Sequence, residues 1–168
     1  MKIAGQNLTR RLRLYVERVC RARYRRGHGV HSPFVYGFVR KVLMCRTLFE
    51  GTGAQLYDAL RREGVAEACA RQLHNTLYYI EGKSYAINDV GCDLSILLGD
   101  YPIEKFGAAY QDAKIEGVTL AICNPYASRE RQNEVQALIE AHTSTSVNNY
   151  AYVLFFFDEK LPKQHYRL

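Results

Sequence analysis

At 168 residues, with 48% hydrophobic and 24% charged residues, the chain is long enough to bury one real core and too apolar for wholesale disorder. Its longest apolar run, residues 150–157, is eight residues, far short of the roughly 20 that a membrane-spanning helix needs. The formal charge of +6 is unevenly spread: residues 1–46 hold twelve Lys or Arg and one acid, Glu17, while the rest carries five more acids than bases. That asymmetry points to an anionic partner for the N-terminal part, whether nucleic acid, acidic lipid or the acidic half of the chain itself. Residues 1–6 contain no signal-type hydrophobic segment, which predicts a cytoplasmic protein. Five cysteines (Cys20, Cys45, Cys69, Cys92, Cys123) are scattered 23 to 31 residues apart without a CxxC pair, predicting reduced, mostly buried thiols.

Taken in order, Leu8, Leu12, Tyr15, Val19 and Ala22 recur at helical spacing and predict a helix over residues 7–25, with this stripe as its packing face. Arginines, among them Arg11, Arg18 and Arg21, cover the rest of that helix. Three readings stay open for it: a solvated charged face, a nucleic-acid face, or a membrane-surface or partner helix. Gly27 and Gly29 bracket His28 and suit a tight reversal. Ser32 then offers a hydroxyl N-cap and Pro33 suits the first helical position, opening a helix whose Phe34, Val35, Phe38, Val39, Val42 and Leu43 form one buried stripe. His28 and His31 have the spacing of a metal pair, but no neighbouring acid or thiol completes a site, so a structural role in the turn is expected. Gly51-Thr52-Gly53 lacks the third glycine and the lysine of a phosphate loop and reads as a plain connection.

Residues 54–60 and 65–80 read as helices, with Leu73, Leu77 and Ile80 inward beside His74, which is expected to be a satisfied structural histidine. Residues 83–90 read as a short buried strand ended by Gly91, and Asp93 as the cap of a helix over 94–98. A helix over 103–114, a central strand over 118–123 and a helix over 128–142 with Val135, Leu138 and Ile139 inward follow. Residues 147–157 read as strands turning near Asn148-Asn149. This alternation predicts a small α/β layer around a mostly parallel sheet, in one domain made of a basic helical arm (1–48) and an α/β part (54–168).

The unit over residues 83–95 is the one place with a chemistry attached. A strand, a glycine turn and a helix N-terminus together present backbone N–H groups to a polar ligand, and an acid at the strand end accepts from amines or hydroxyls. No Gly-x-Ser-x-Gly elbow, HExxH or Walker sequence is present. Cys123, at a strand end facing a helix N-terminus, is expected to be an inert buried thiol, because no His or Lys adjoins it.

The stretch around Gly29-Val30-His31-Ser32-Pro33-Phe34-Val35 resembles the Arg-x-Gly-(Ile/Val)-His-Ser-Pro-Phe-Val segment of a bacterial branch of class I S-adenosylmethionine-dependent methyltransferases. Val153-Leu154-Phe155-Phe156-Phe157 and Lys163-Gln164-His165-Tyr166 are similar to that family's closing strand and tail. The resemblance covers about residues 8–46, 71–95 and 118–168, and it implies a reduced Rossmann-like methyltransferase sheet with an N-terminal helical arm. It places the methionine part of S-adenosylmethionine at Asp89 and Gly91, which match the Glu and first Gly of the family's Glu-x-Gly-x-x-x-Gly; Ser95 stands where the second glycine would be, and Asp93, the expected helix cap, completes the candidate cofactor site. Cys123-Asn124 replace the family's Asp-Asp pair, so no metal is implied. Only 32 residues separate Gly91 from Cys123, where the family fits three further strands, and Asp100, Glu104 and Asp112 are what remains to hold the cofactor's ribose.

The expectation is a shortened, degenerate methyltransferase-like protein with lost or reduced activity. Its rivals are an active small-molecule methyltransferase and a non-enzymatic module that binds nucleic acid through Arg11, Arg18 and Arg21. A homodimer covering the sheet edge left by the missing strands is a further expectation.

Overall fold

A computed structural model describes residues 12–17, 19–20, 31–50 and 54–168. The Ser32 hydroxyl accepts from the Val35 N–H at 3.3 Å and opens helix α1 (Pro33–Phe38), with proline in its first turn as the sequence predicts. The helix runs on into a π-helical turn, Val39–Leu43, closed by the Met44 N–H on the Val39 carbonyl at 3.0 Å. Val35, Phe38, Val39 and Val42 are fully buried. Gly37 is required by close approach: a Cβ there would lie 2.6 Å from the Tyr79 hydroxyl. That hydroxyl donates to the Phe34 carbonyl at 2.7 Å.

Helices α2 (Ala54–Arg62) and α3 (Glu67–Tyr79) complete the layer. The buried Asn75 side chain accepts from the Phe49 N–H and donates to the Thr47 carbonyl, while His74 bonds the Phe49 carbonyl at 3.0 Å. His74 is thus the satisfied structural histidine the sequence suggests.

Six strands follow: β1 (Tyr85–Ile87), β2 (Leu94–Leu97), β3 (Thr119–Cys123), β4 (Thr145–Asn148), β5 (Tyr152–Phe155) and β6 (Gln164–Arg167). They form one sheet in the order β1-β2-β3-β5-β4-β6. The β1/β2, β2/β3 and β4/β6 pairs are parallel, and β5 runs antiparallel to both its neighbours. The protein is therefore α/β with a six-stranded sheet that is mostly parallel, as the sequence predicts, and mixed only through the reversed strand β5. Alternation along the strands sends Ile96, Ala121 and Leu154 to the α1–α3 side. Leu97, Ile122 and Val153 point the other way, against helices α4 (Phe106–Glu116) and α5 (Arg129–Ala141). Burial on both faces is why these strands read as continuous apolar runs.

Residues 94–98, expected to be a helix, contain β2 instead. Leu94, Ser95, Ile96 and Leu97 are all buried between β1 and β3, and two ladders satisfy their backbone. Four residues carry no period that separates strand from helix. The tail over 163–166 also contributes a strand, β6, unmarked by any apolar pattern.

In the arm, residues 12–17 and 19–20 are helical, but Leu12, Tyr15 and Val19 are exposed rather than packed. The helix meets the body instead through Glu17, which pairs with Arg167 at 2.8 Å. Leu8, Ala22, the proposed anionic-partner residues Arg11, Arg18 and Arg21, the reversal at Gly27, His28 and Gly29, and Gly51 and Gly53 lie outside the described residues. The thiols are not mostly buried: Cys69 and Cys123 are, while Cys20 is exposed and Cys45 and Cys92 lie between.

Candidate functional site

In an open α/β sheet the carboxyl ends of the parallel strands are where ligands bind. Here β1 ends at Ile87, and the next residue, Asn88, adopts a positive φ of 58°. Its N–H donates to the Ile96 carbonyl and its side-chain carbonyl accepts from the Leu98 N–H, both at 2.8 Å. The chain then returns to the start of β2 in six residues, 88–93. Parallel neighbours ordinarily need a crossover of about a dozen residues or more, usually helical. Gly91, at φ 117°, allows the return; it is exposed, and a Cβ on it would meet nothing within 4 Å. Its role is thus conformational and not close approach to a neighbouring group.

The three residues expected at one cofactor site, Asp89, Gly91 and Asp93, are separated by this return. Asp89 stands exposed at the carboxyl end of β1, with Oδ1 accepting from the adjacent Val90 N–H at 2.8 Å. Asp93 stands at the opposite, amino end of β2. Its Oδ2 accepts from the Lys83 N–H at 2.9 Å, the Ser84 N–H at 2.9 Å and the Ser84 hydroxyl at 2.7 Å. These donors, the Lys83 N–H foremost, hold its carboxyl below the usual carboxylate range. Asp93 caps the start of the β1/β2 pair rather than a helix. No helix begins between Gly91 and β2, so the backbone N–H cluster expected beside Asp89 is not built.

The carboxyl ends of β2 and β3 instead border a cavity of about 490 Å³, lined by Leu98, Gly99, Asp100, Cys123, Asn124 and Cys69 together with residues 63–66 and Ala151. Asn124, at φ 50°, lies so close to Gly99 that a Cβ there would be 2.8 Å from its side-chain nitrogen. The neighbouring Cys69 thiol, together with burial, pushes the Cys123 thiol well above its ordinary value. It is a neutral thiol at neutral pH, as the sequence suggests. Asp100 lines the cavity; Asp89 does not, and Glu104 and Asp112 are exposed outside it. Among the described residues no His/Cys/Asp/Glu cluster suits a metal ion.

Beneath this edge lies a residue that sequence reasoning missed. Arg131, only 2% exposed, donates to the carbonyls of Leu98 (2.6 Å), Cys123 (2.9 Å) and Tyr101 (3.1 Å) and stacks 4.6 Å over Phe106. It ties the carboxyl ends of β2 and β3 to the first turn of α5. Burial lowers its pKa, yet an arginine keeps its charge. Only its place in the capped first turn after Ser128 could have pointed inward.

At the amino end of the sheet a wider groove of about 900 Å³ is lined by Glu81, Asp93, Glu116, Asp158 and Glu159 against one lysine, Lys160, with Phe34, Tyr79 and Phe156 among its walls. No family model, curated protein or solved structure matches this chain.

Proposed function

We propose that this chain is a methyltransferase-derived α/β domain that has given up methyl transfer and its cofactor. The observation that carries the reading is the six-residue return from β1 to β2. Where the resembled family opens a helix behind its glycine turn, this chain enters a buried strand, and Ser95 lies inside it. A methionine-like carboxylate placed beside Gly91 would meet no helix N-terminus, because the chain enters β2 instead. Asp89 accepts from its own neighbour, and Asp93 is engaged at the other end of the sheet. Cys123 and Asn124 supply a neutral thiol and an amide, neither of which serves as a base at neutral pH.

The segments that resemble the family most closely support the same reading, because they build the scaffold. Val35 and Phe38 of α1 pack with Leu154 and Phe156 of the β5 segment in one core, so they are retained for stability whether or not catalysis survives. Calorimetric titration of S-adenosylmethionine and S-adenosylhomocysteine into the pure protein tests the proposal. The expected result is no binding at millimolar ligand; micromolar binding that Asp89→Ala abolishes would overturn it.

A second reading, an active small-molecule methyltransferase, draws on the 490 Å³ cavity with Asp100 in its wall. It predicts binding that Asp100→Ala removes and Asp89→Ala leaves intact.

A further inference from the structure

The N-terminal arm has an apolar face that the described residues leave exposed. Leu12, Tyr15, Val16 and Val19 are 61%, 66%, 50% and 55% exposed. At roughly 100° per residue these four fall in one sector of a helix, with Leu14 and Glu17 on the opposite side. Leu14 and Glu17 are partly buried, and Glu17 forms ion pairs with Arg167 of the edge strand β6 at 2.8 Å and with Arg13 at 3.2 Å. The helix is therefore oriented, with its body-facing side engaged and its apolar stripe turned outward.

The charge of this part of the sequence says what such a stripe meets. Residues 1–46 carry twelve Lys or Arg and one acid, and that acid is the Glu17 whose carboxylate is paired with Arg13 and Arg167. Arg13, Arg40, Lys41 and Arg46 are exposed. A second copy of this face would bring two strongly cationic arms together, which repel. Nucleic acid would engage the arginines but has no use for four exposed apolar side chains in a row. An anionic bilayer surface takes both: apolar side chains sink to the acyl boundary while arginines remain among the headgroups. No described helix is long and apolar enough to cross a membrane, so contact would be in the plane of the surface.

We propose that the helix containing Leu12, Tyr15, Val16 and Val19 docks the protein on an anionic lipid surface. This holds independently of whether the cofactor site survives.

The chain has no tryptophan, so Tyr15→Trp places a single reporter on the stripe. The full-length protein is mixed with vesicles of phosphatidylcholine alone or of phosphatidylcholine with phosphatidylglycerol. The expected result is a blue-shifted emission, quenched by brominated lipid, with the anionic vesicles only and weakening as salt rises. Replacing Leu12, Val16 and Val19 by Ser together should lower the partition coefficient of the parent chain by at least about tenfold. Circular dichroism and melting temperature should be unchanged, because these side chains are exposed. No emission shift with anionic vesicles would overturn the proposal. So would salt-sensitive oligonucleotide binding without vesicle binding, equal in the parent and the triple variant, or a dimer in sedimentation that the triple variant dissolves.

Discussion

Replacing Arg131 by Met tests how the carboxyl edge of the sheet is held. The methionine fills the same space and keeps contact with Phe106, but it leaves the carbonyls of Leu98, Tyr101 and Cys123 without the guanidinium that bonds all three. A buried acceptor stripped of its partner costs about 1–3 kcal/mol. Removing the buried charge returns part of that sum, since the charge itself was desolvated. A net loss of about 3–5 kcal/mol is expected, the cost of the lost acceptor partners less that return. At this chain length it lowers the melting temperature by roughly 6–20 °C. Thermal and urea unfolding followed by far-ultraviolet circular dichroism read it out. Arg131→Lys should fall between, because one ammonium cannot span three carbonyls placed around a planar fork. A neighbouring exposed control, Arg129→Ala, should stay within about 0.5 kcal/mol. If Arg131→Met melted within about 2 °C of the parent, the hydrogen bonds would be incidental and the reasoning refuted.

Gly37→Ala should destabilise by about 1–3 kcal/mol, since its methyl meets the Tyr79 hydroxyl. Tyr79→Phe in the same chain should recover part of that loss, and a double-mutant cycle from urea midpoints showing strict additivity would contradict the contact. Asp93→Ala should cost about 1–2 kcal/mol, because its carboxylate accepts from Lys83 and Ser84 but is exposed. As the folded pKa of Asp93 is depressed, this contribution is present above the ordinary carboxylate range and is lost as pH falls through the folded value, so the two proteins should converge in acid. His142 gives a higher acid limit. Its Nε2 faces the Thr145 carbonyl and must carry the proton, so Nδ1 accepts from the Tyr110 hydroxyl at 2.8 Å and burial holds the pKa below 6.5. The unfolded chain then binds the extra proton first, so melting temperature should fall from about pH 7 toward pH 5; a flat profile would contradict the buried neutral imidazole.

What could be read in the sequence was what local chemistry decides. Ser32-Pro33 marks a helix start through capping, which needs no partner, and the stripe from Phe34 to Leu43 follows from helical period. Residues 119–123 stand out because a strand buried on both faces is uniformly apolar. The π-turn at Val39–Leu43 keeps the same apolar positions and leaves no separate mark. Residues 94–97 are a strand because β1 and β3 flank them, which is tertiary information. Gln164–Arg167 is polar because it lies at an edge. In the arm, periodicity correctly marked which face is apolar but not what covers it.

The candidate site was less legible than the fold for a related reason. Asp89, Gly91 and Asp93 are neighbours along the chain, and a strand–turn–helix would have gathered them. A parallel return instead carries the chain down the sheet, so five residues of sequence span its two ends. Arg131 reads in sequence like any other charged residue of an amphipathic helix; only the carbonyl ends of two strands explain its burial.

Backbone assignment of the isotope-labelled protein, followed through a titration with S-adenosylhomocysteine, tests the central claim most directly. Extended carbon secondary shifts over Leu94–Leu97 and unmoved amides from Asp89 to Leu98 at millimolar ligand are the predicted result. Helical shifts over those residues, with amides beside Asp89 and Gly91 moving saturably, would show a cofactor seat and contradict the account.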